Sequence, residues 1–165
     1  MPSVLMIGYG NASRRDDGVA VHILQRLRER LGLPVDELDE DRGTELDPTL
    51  AMLAVHQLGP ELAEIIAQYE SVIFVDAHVE GTLWAPVHWQ EITPAYRANI
   101  VTHHLKPESV LALCNSLYGR NPKGYTLSVL GTDFDFGEEL SSGTSARADQ
   151  AVARLLAFLR AEGVE

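Results

Sequence analysis

The stretch MIGYGNASRRDDGVAV, Met6–Val21, decides between two kinds of α/β protein. It starts as an apolar strand, turns at Gly8 and Gly10, and passes into helical spacing, with Val19, Ala20, Ile23, Leu24, Leu27 and Leu31 on one face. Strand, glycine-rich turn and helix also open a dinucleotide site, but that fingerprint needs a third glycine so that helix and strand can pack closely. Here the third position holds Ser13, and Asp16 and Asp17 bring negative charge to the helix N-terminus where phosphates would sit. The second apolar run, LAVHQLG, offers no ribose-binding acid, and no P-loop lysine and serine pair follows the glycines. The nucleotide-binding domain is therefore the weaker reading. The stronger one is a carboxylate site on the same loop.

Outward from this stretch, strands and helices alternate. Strands are expected at Ser3–Gly8, Leu50–Leu58, Ser71–Ala77 and Tyr125–Gly131, with a more exposed edge strand at Ala85–Ile92. Helices are expected from Gly18 to a stop at Gly32 and Pro34, after Pro60, from about His103 past Pro107, and through Ala148–Leu159. Asp16 or Asp17 is a candidate cap for the first helix, and Ser141, Ser142 or Thr144 for the last. The pattern predicts a single domain over residues 1–165, a three-layer α/β/α sandwich on a mostly parallel twisted sheet of about five strands. In such sheets ligands gather beyond the carboxyl ends of the strands. That places Tyr9–Asp17, Asp76–Gly81 and Gly131–Phe136 on one rim, with the segment carrying His103 and His104 joining them.

The net charge of −11 argues against a nucleic-acid partner, which needs clustered Lys and Arg. Much of the excess lies in DELDEDRGTELD, Asp36–Asp47, read first as a solvated acidic loop and second as an interaction surface for a basic partner. The one cysteine, Cys114, excludes an intramolecular disulfide and a thiolate cluster, and LALCNSL places it on an apolar helix face. No secretory signal and no membrane-length apolar run is recognised, so a cytoplasmic protein without a membrane partner is expected.

Asp76 ends an apolar run, VIFVDAHV, where an unpaired carboxylate is costly; by itself it reads as a loop or helix cap. His103 and His104 follow NIVT before a helix and separately read as surface or capping histidines. Two carboxylates and an imidazole converging on one rim would make an O,O,N site with open positions. Imidazole suits nickel, copper, zinc or iron, so the donors alone name no metal. Neither HExxH nor G-x-S-x-G is present. Gly10 and Asn11 are read as shaping the turn, His56, Gln57 and Glu61 as structural, His56 ending a strand, ahead of a substrate-facing alternative, and Phe134 and Phe136 as substrate contacts or a cover for the core edge.

GYGNASRRDDG resembles the G-x-G-N-x-x-x-x-D-D/E-G signature of the hydrogenase maturation endopeptidases, and VIFVDA and THHLKPESVLAL resemble that family's aspartate and histidine motifs. HQLGPELAE, His56–Glu64, is similar to the branch serving bidirectional, NAD-linked hydrogenases. The resemblance spans nearly the whole chain in order and spacing. It implies an endopeptidase that trims the C-terminal extension of a nickel–iron hydrogenase large-subunit precursor, with the nickel carried by that partner. It further implies that Asp17, Asp76 and His103 contact the nickel and act in catalysis, with His104 one place out of register. Some family members have glutamate at the position of Asp17, and aspartate shortens the reach by about 1.5 Å. A monomer is expected. The alternative within this resemblance is a module that binds the nickel-loaded precursor without cutting it.

Overall fold

Five β-strands and four α-helices account for the regular structure of this computed structural model, which describes residues 3–35, 38, 47–95 and 105–164. The strands are β1 (Val4–Tyr9), β2 (Leu50–Val55), β3 (Ser71–His78), β4 (Val87–Ile92) and β5 (Lys123–Leu130). The helices are α1 (Val19–Arg30), α2 (Leu62–Ile66), α3 (Pro107–Tyr118) and α4 (Ser142–Glu162). One sheet runs β2-β1-β3-β5-β4, parallel except for β4, which pairs antiparallel with β5. The mostly parallel α/β sheet expected from the alternation is what the chain forms.

Side-chain parity along the strands sorts the core into two layers. Val4, Met6, Met52, Ile73, Val75, Leu127 and Val129 face α1 and α4, whose Ile23, Leu24, Leu27, Val152 and Leu155 cover them. Leu5, Ile7, Leu53, Val72 and Phe74 face α2 and α3, whose Leu62, Ile66, Val110, Leu111 and Cys114 lie over them. Each large side chain here contributes about 1.5–3 kcal/mol by leaving water. Gly8 lets α1 press against β1: a Cβ there would stand 3.0 Å from Leu24 Cδ1 and 3.1 Å from Ala20 Cβ. Cys114 is buried, its Sγ 3.3 Å from the Ala63 carbonyl, and burial pushes the thiol up to about 11. It packs as a small hydrophobe.

Several boundaries differ from the expectations. β2 ends at Val55, leaving His56 and Gln57 exposed in the connection to α2. β3 runs to His78, one residue past the expected Ala77, because β5 pairs alongside it as far as Leu130. α3 begins at Pro107, whose fixed φ suits the first helical position, rather than around His103. α1 is preceded by a single 3₁₀ turn, Arg15–Gly18, and its N-cap Gly18 makes no side-chain capping bond. Neither Asp16 nor Asp17 caps α1. Of the acidic run, only Leu38 and Asp47 are among the described residues. Leu38 is buried, and Asp47 accepts Thr49 N on Oδ1 and Tyr69 Oη on its carbonyl. No helix among the described residues is long and apolar enough to cross a membrane.

Candidate active site

The carboxyl ends of β1, β3 and β5 meet at one rim, and the two adjacent aspartates after β1 take separate tasks there. Asp16 is fully buried and reaches across to the start of α4. Its carboxylate accepts Thr132 N (2.9 Å), Asp133 N (2.9 Å), Ser141 N (2.8 Å), Ser141 Oγ (2.7 Å) and Thr144 Oγ1 (2.8 Å). Burial by itself would raise this carboxyl, but the donors from Ser141, Thr132 and Asp133 prevail and hold it well below the usual carboxylate range. The N-terminal end of a 21-residue helix adds favourable charge. Ser141 is the N-cap of α4, yet its hydroxyl serves Asp16 and Thr144 instead of an α4 backbone N–H.

Backbone pairs reinforce this join. Arg15 N donates to Gly137 O, Gly137 N to Ser13 O, and Asp16 N to Asp133 O. Arg15 holds a left-handed backbone at φ 44°, with its Nε 2.9 Å from Asp133 Oδ2. That conformation is uncommon for a residue with a Cβ and is maintained here by contacts on both sides. The loop after β1 is thus fastened to the loop after β5.

Asp17 closes the turn after β1. Its Oδ2 accepts Asn11 N at 2.8 Å, and Asn11 Oδ1 accepts Ser13 N at 2.9 Å, closing the turn as its residue type suggested. Gly10 lies between strand and turn at φ 140°, where a Cβ would come 2.2 Å from Asp17 O. Gly10→Ala is expected to cost about 1–3 kcal/mol and to displace Asp17. Chemical denaturation gives the stability loss; an unchanged midpoint would show that the turn tolerates a Cβ.

Asp76 lies one strand over, partly buried, on the β3 face that also carries Phe74 and His78. Tyr9 Oη donates to Asp76 Oδ2 at 2.9 Å. Ser128 is its register partner on β5, and Ser128 Oγ lies 2.8 Å from His78 Nδ1. Burial raises Asp76 to about 6; the hydroxyls of Ser128 and Tyr9 oppose that rise, and the charges of Asp17 and Glu108 add to it. Burial and the Asp76 charge push the Tyr9 phenol far above its ordinary value, so it stays protonated and acts as a donor.

Asp76 opens onto a cleft of about 470 Å³, with Tyr9, Trp84, Gln90, Leu105 and Glu108 among its walls. Trp84 lies flat on His88, ring centroids 4.7 Å apart, and edge-on to His78 at 5.4 Å. Sequence reasoning did not find Tyr9, Ser128, Trp84 or Glu108. Parity offered a signal for the first two: Tyr9 follows Leu5 and Ile7 on one face, and Ser128 stands opposite Asp76. Trp89 joins a cluster with Tyr125 and Phe158 under Arg154 on the other face. Phe134 packs against Gly131, whereas Phe136 is 92% exposed and covers no core.

Of the three predicted contacts, Asp17 and Asp76 come close enough that the charge of one acts on the other. His103 and His104 lie outside the described residues; the next residue, Leu105, lines the Asp76 cleft. Among the described residues no group of three or more His, Cys, Asp or Glu side chains is arranged to hold a metal ion. Two carboxylates with oxygen donors beside them suit water activation or two edges of a metal's coordination shell.

This fold is shared with hydrogenase maturation endopeptidases of known structure. The chain is 21% identical to the hydrogenase maturating endopeptidase HybD from E. coli, with a TM-score of 0.68 over 98% of this chain and 94% of that one. Against the [NiFe] hydrogenase maturation protease HycI from Thermococcus kodakarensis KOD1 the identity is 21% and the TM-score 0.66, covering 96% and 92% of the two chains. A hydrogenase 2 maturation peptidase from Thaumarchaeota archaeon SCGC_AB-539-E09 matches at 20% identity and TM-score 0.61, over 99% of each chain. No protein-family model and no curated protein sequence matches the chain.

Proposed function

We propose that this protein is a hydrogenase maturation endopeptidase that removes the C-terminal extension of a nickel-loaded nickel–iron hydrogenase large-subunit precursor. In this reading it works as a cytoplasmic monomer and belongs to the branch serving bidirectional, NAD-linked hydrogenases. The observation that carries the proposal is the meeting of Asp17 and Asp76 at the carboxyl rim of a sheet shared with solved maturation peptidases. Asp17, Asp76 and His103 contact the nickel that the precursor brings. Support for His103 comes from its place two residues before Leu105, a wall residue of the Asp76 cleft.

The nickel polarises the scissile carbonyl, and a carboxylate takes a proton from the attacking water. The donor set of two oxygens and one imidazole leaves coordination positions for precursor ligands and water.

The test is incubation with nickel-loaded and nickel-free precursor, followed by mass spectrometry. Only loaded precursor is expected to shorten, and His103→Ala is expected to reduce shortening at least a hundredfold. Equal processing of both precursors would remove nickel recognition from the account. Binding without shortening would identify a docking module instead, and full activity in His103→Ala would remove that residue from the site.

A further inference from the structure

We propose that Tyr9 is a positioning residue for Asp76, fixing the carboxylate plane so that its function falls to the oxygen Tyr9 does not hold. The torsion that turns an aspartate carboxylate has no sharp staggered wells, so its rotamer alone leaves the plane loosely set. A directional hydrogen bond supplies what the torsion lacks, and Tyr9 Oη donates to Asp76 Oδ2 at 2.9 Å. The phenol comes from the last residue of β1, on the face carrying Leu5 and Ile7, so its backbone is held within the sheet.

The same segment holds the second acid. Two residues after Tyr9, Asn11 N donates to Asp17 Oδ2 at 2.8 Å. Both aspartates therefore have Oδ2 engaged by donors from Tyr9–Gly10–Asn11, and Gly10 passes too close to Asp17 O for any Cβ. This tripeptide sets the separation and tilt of the two carboxylates together. The strand ends with a phenol because an apolar aromatic there would fill the space yet leave Asp76 free to turn.

The catalytic consequence rests on the endopeptidase reading, so the test includes a measurement that does not depend on it. Tyr9→Phe keeps the ring and removes only the hydroxyl. With nickel-loaded precursor, kcat is expected to fall about tenfold or more, while KM stays within about twofold, as for other partners that orient a ligand or base. With Co²⁺ alone as the probe, calorimetry is expected to show about tenfold weaker binding than wild type. A purely structural hydroxyl would lower the melting temperature and leave both ratios unchanged. Co²⁺ affinity within twofold of wild type would overturn the assignment, whatever happens to turnover. So would a wild-type protein that binds no Co²⁺. If wild type binds Co²⁺ and cleaves no precursor, the endopeptidase reading fails while the Co²⁺ comparison still decides the role of Tyr9.

Discussion

Asp16→Ala will unfold at markedly lower denaturant concentration than wild type, with a loss of about 3–5 kcal/mol. Three backbone N–H groups and two hydroxyls lose their acceptor together, in a place with no exposed surface. Each stranded buried donor costs about 1–3 kcal/mol, and water entering the vacated space offsets part of the sum. The effect carries a pH signature. The folded-state carboxyl is held below its ordinary value of 3.8, so its contribution is present above that value and disappears as pH falls through the folded one. Wild-type stability should therefore drop steeply in acid, and the variant should lack that component. Denaturant titrations at pH 7 and at pH 3 measure both. A variant as stable as wild type at pH 7 would mean that the five bonds contribute little. Loss of the join should also reduce precursor cleavage, since Asp17 is next in the chain.

Asp76→Asn should have the opposite effect on stability and the more severe effect on function. Asp76 is raised to about 6 in the folded protein from an ordinary 3.8, so folding favours its protonated form. The penalty for ionising it is absent below about pH 4 and complete above about pH 6, and stability declines as pH rises between them. Asparagine keeps an oxygen for the Tyr9 phenol and carries no charge. The variant is expected to exceed wild type by about 1–3 kcal/mol at pH 8 and to match it near pH 4, with precursor cleavage lost. Denaturation of both proteins at the two pH values checks the first part, and mass spectrometry of the precursor the second. A variant less stable than wild type at pH 8 would show that the two hydroxyls outweigh the cost of burying the charge. Stability gained where activity is lost marks a residue held for function.

Much of the fold was legible because its signals are local. Apolar runs such as VLMIGY and SVIFVD mark strands, and the three-to-four-residue spacing of Ile23, Leu24 and Leu27 marks a helix. The rule that ligands collect at carboxyl ends brought Asp17 and Asp76 to one rim before any contact was known. The role of Asp16 was not legible, because its partners lie 116 to 128 positions away and no local pattern encodes them. An adjacent acid pair offered a helix cap as the nearest explanation, and a contact to a distant helix took precedence. Tyr9 was obscured by its chemistry: a large ring after an apolar run reads as core, and the hydroxyl becomes informative only beside Asp76. Glu108 was similarly absorbed into the start of α3, where an acid in the first turn is ordinary.

The backbone pairing of Arg14 and Arg15 with Gly137 bears on how the rim of the sheet keeps its shape. The two connections are tied to each other and, through Asp16, to the start of α4, so displacing either breaks bonds to the others. The link between β3 and β4 carries fewer such ties: Leu83 stands wholly in solvent, and Trp84 stacks on His88, meets His78 edge-on and donates its backbone N–H to Thr82 Oγ1 at 3.4 Å. The rim is thus braced on the side that carries Asp17 and open to solvent on the side where Trp84 borders the Asp76 cleft.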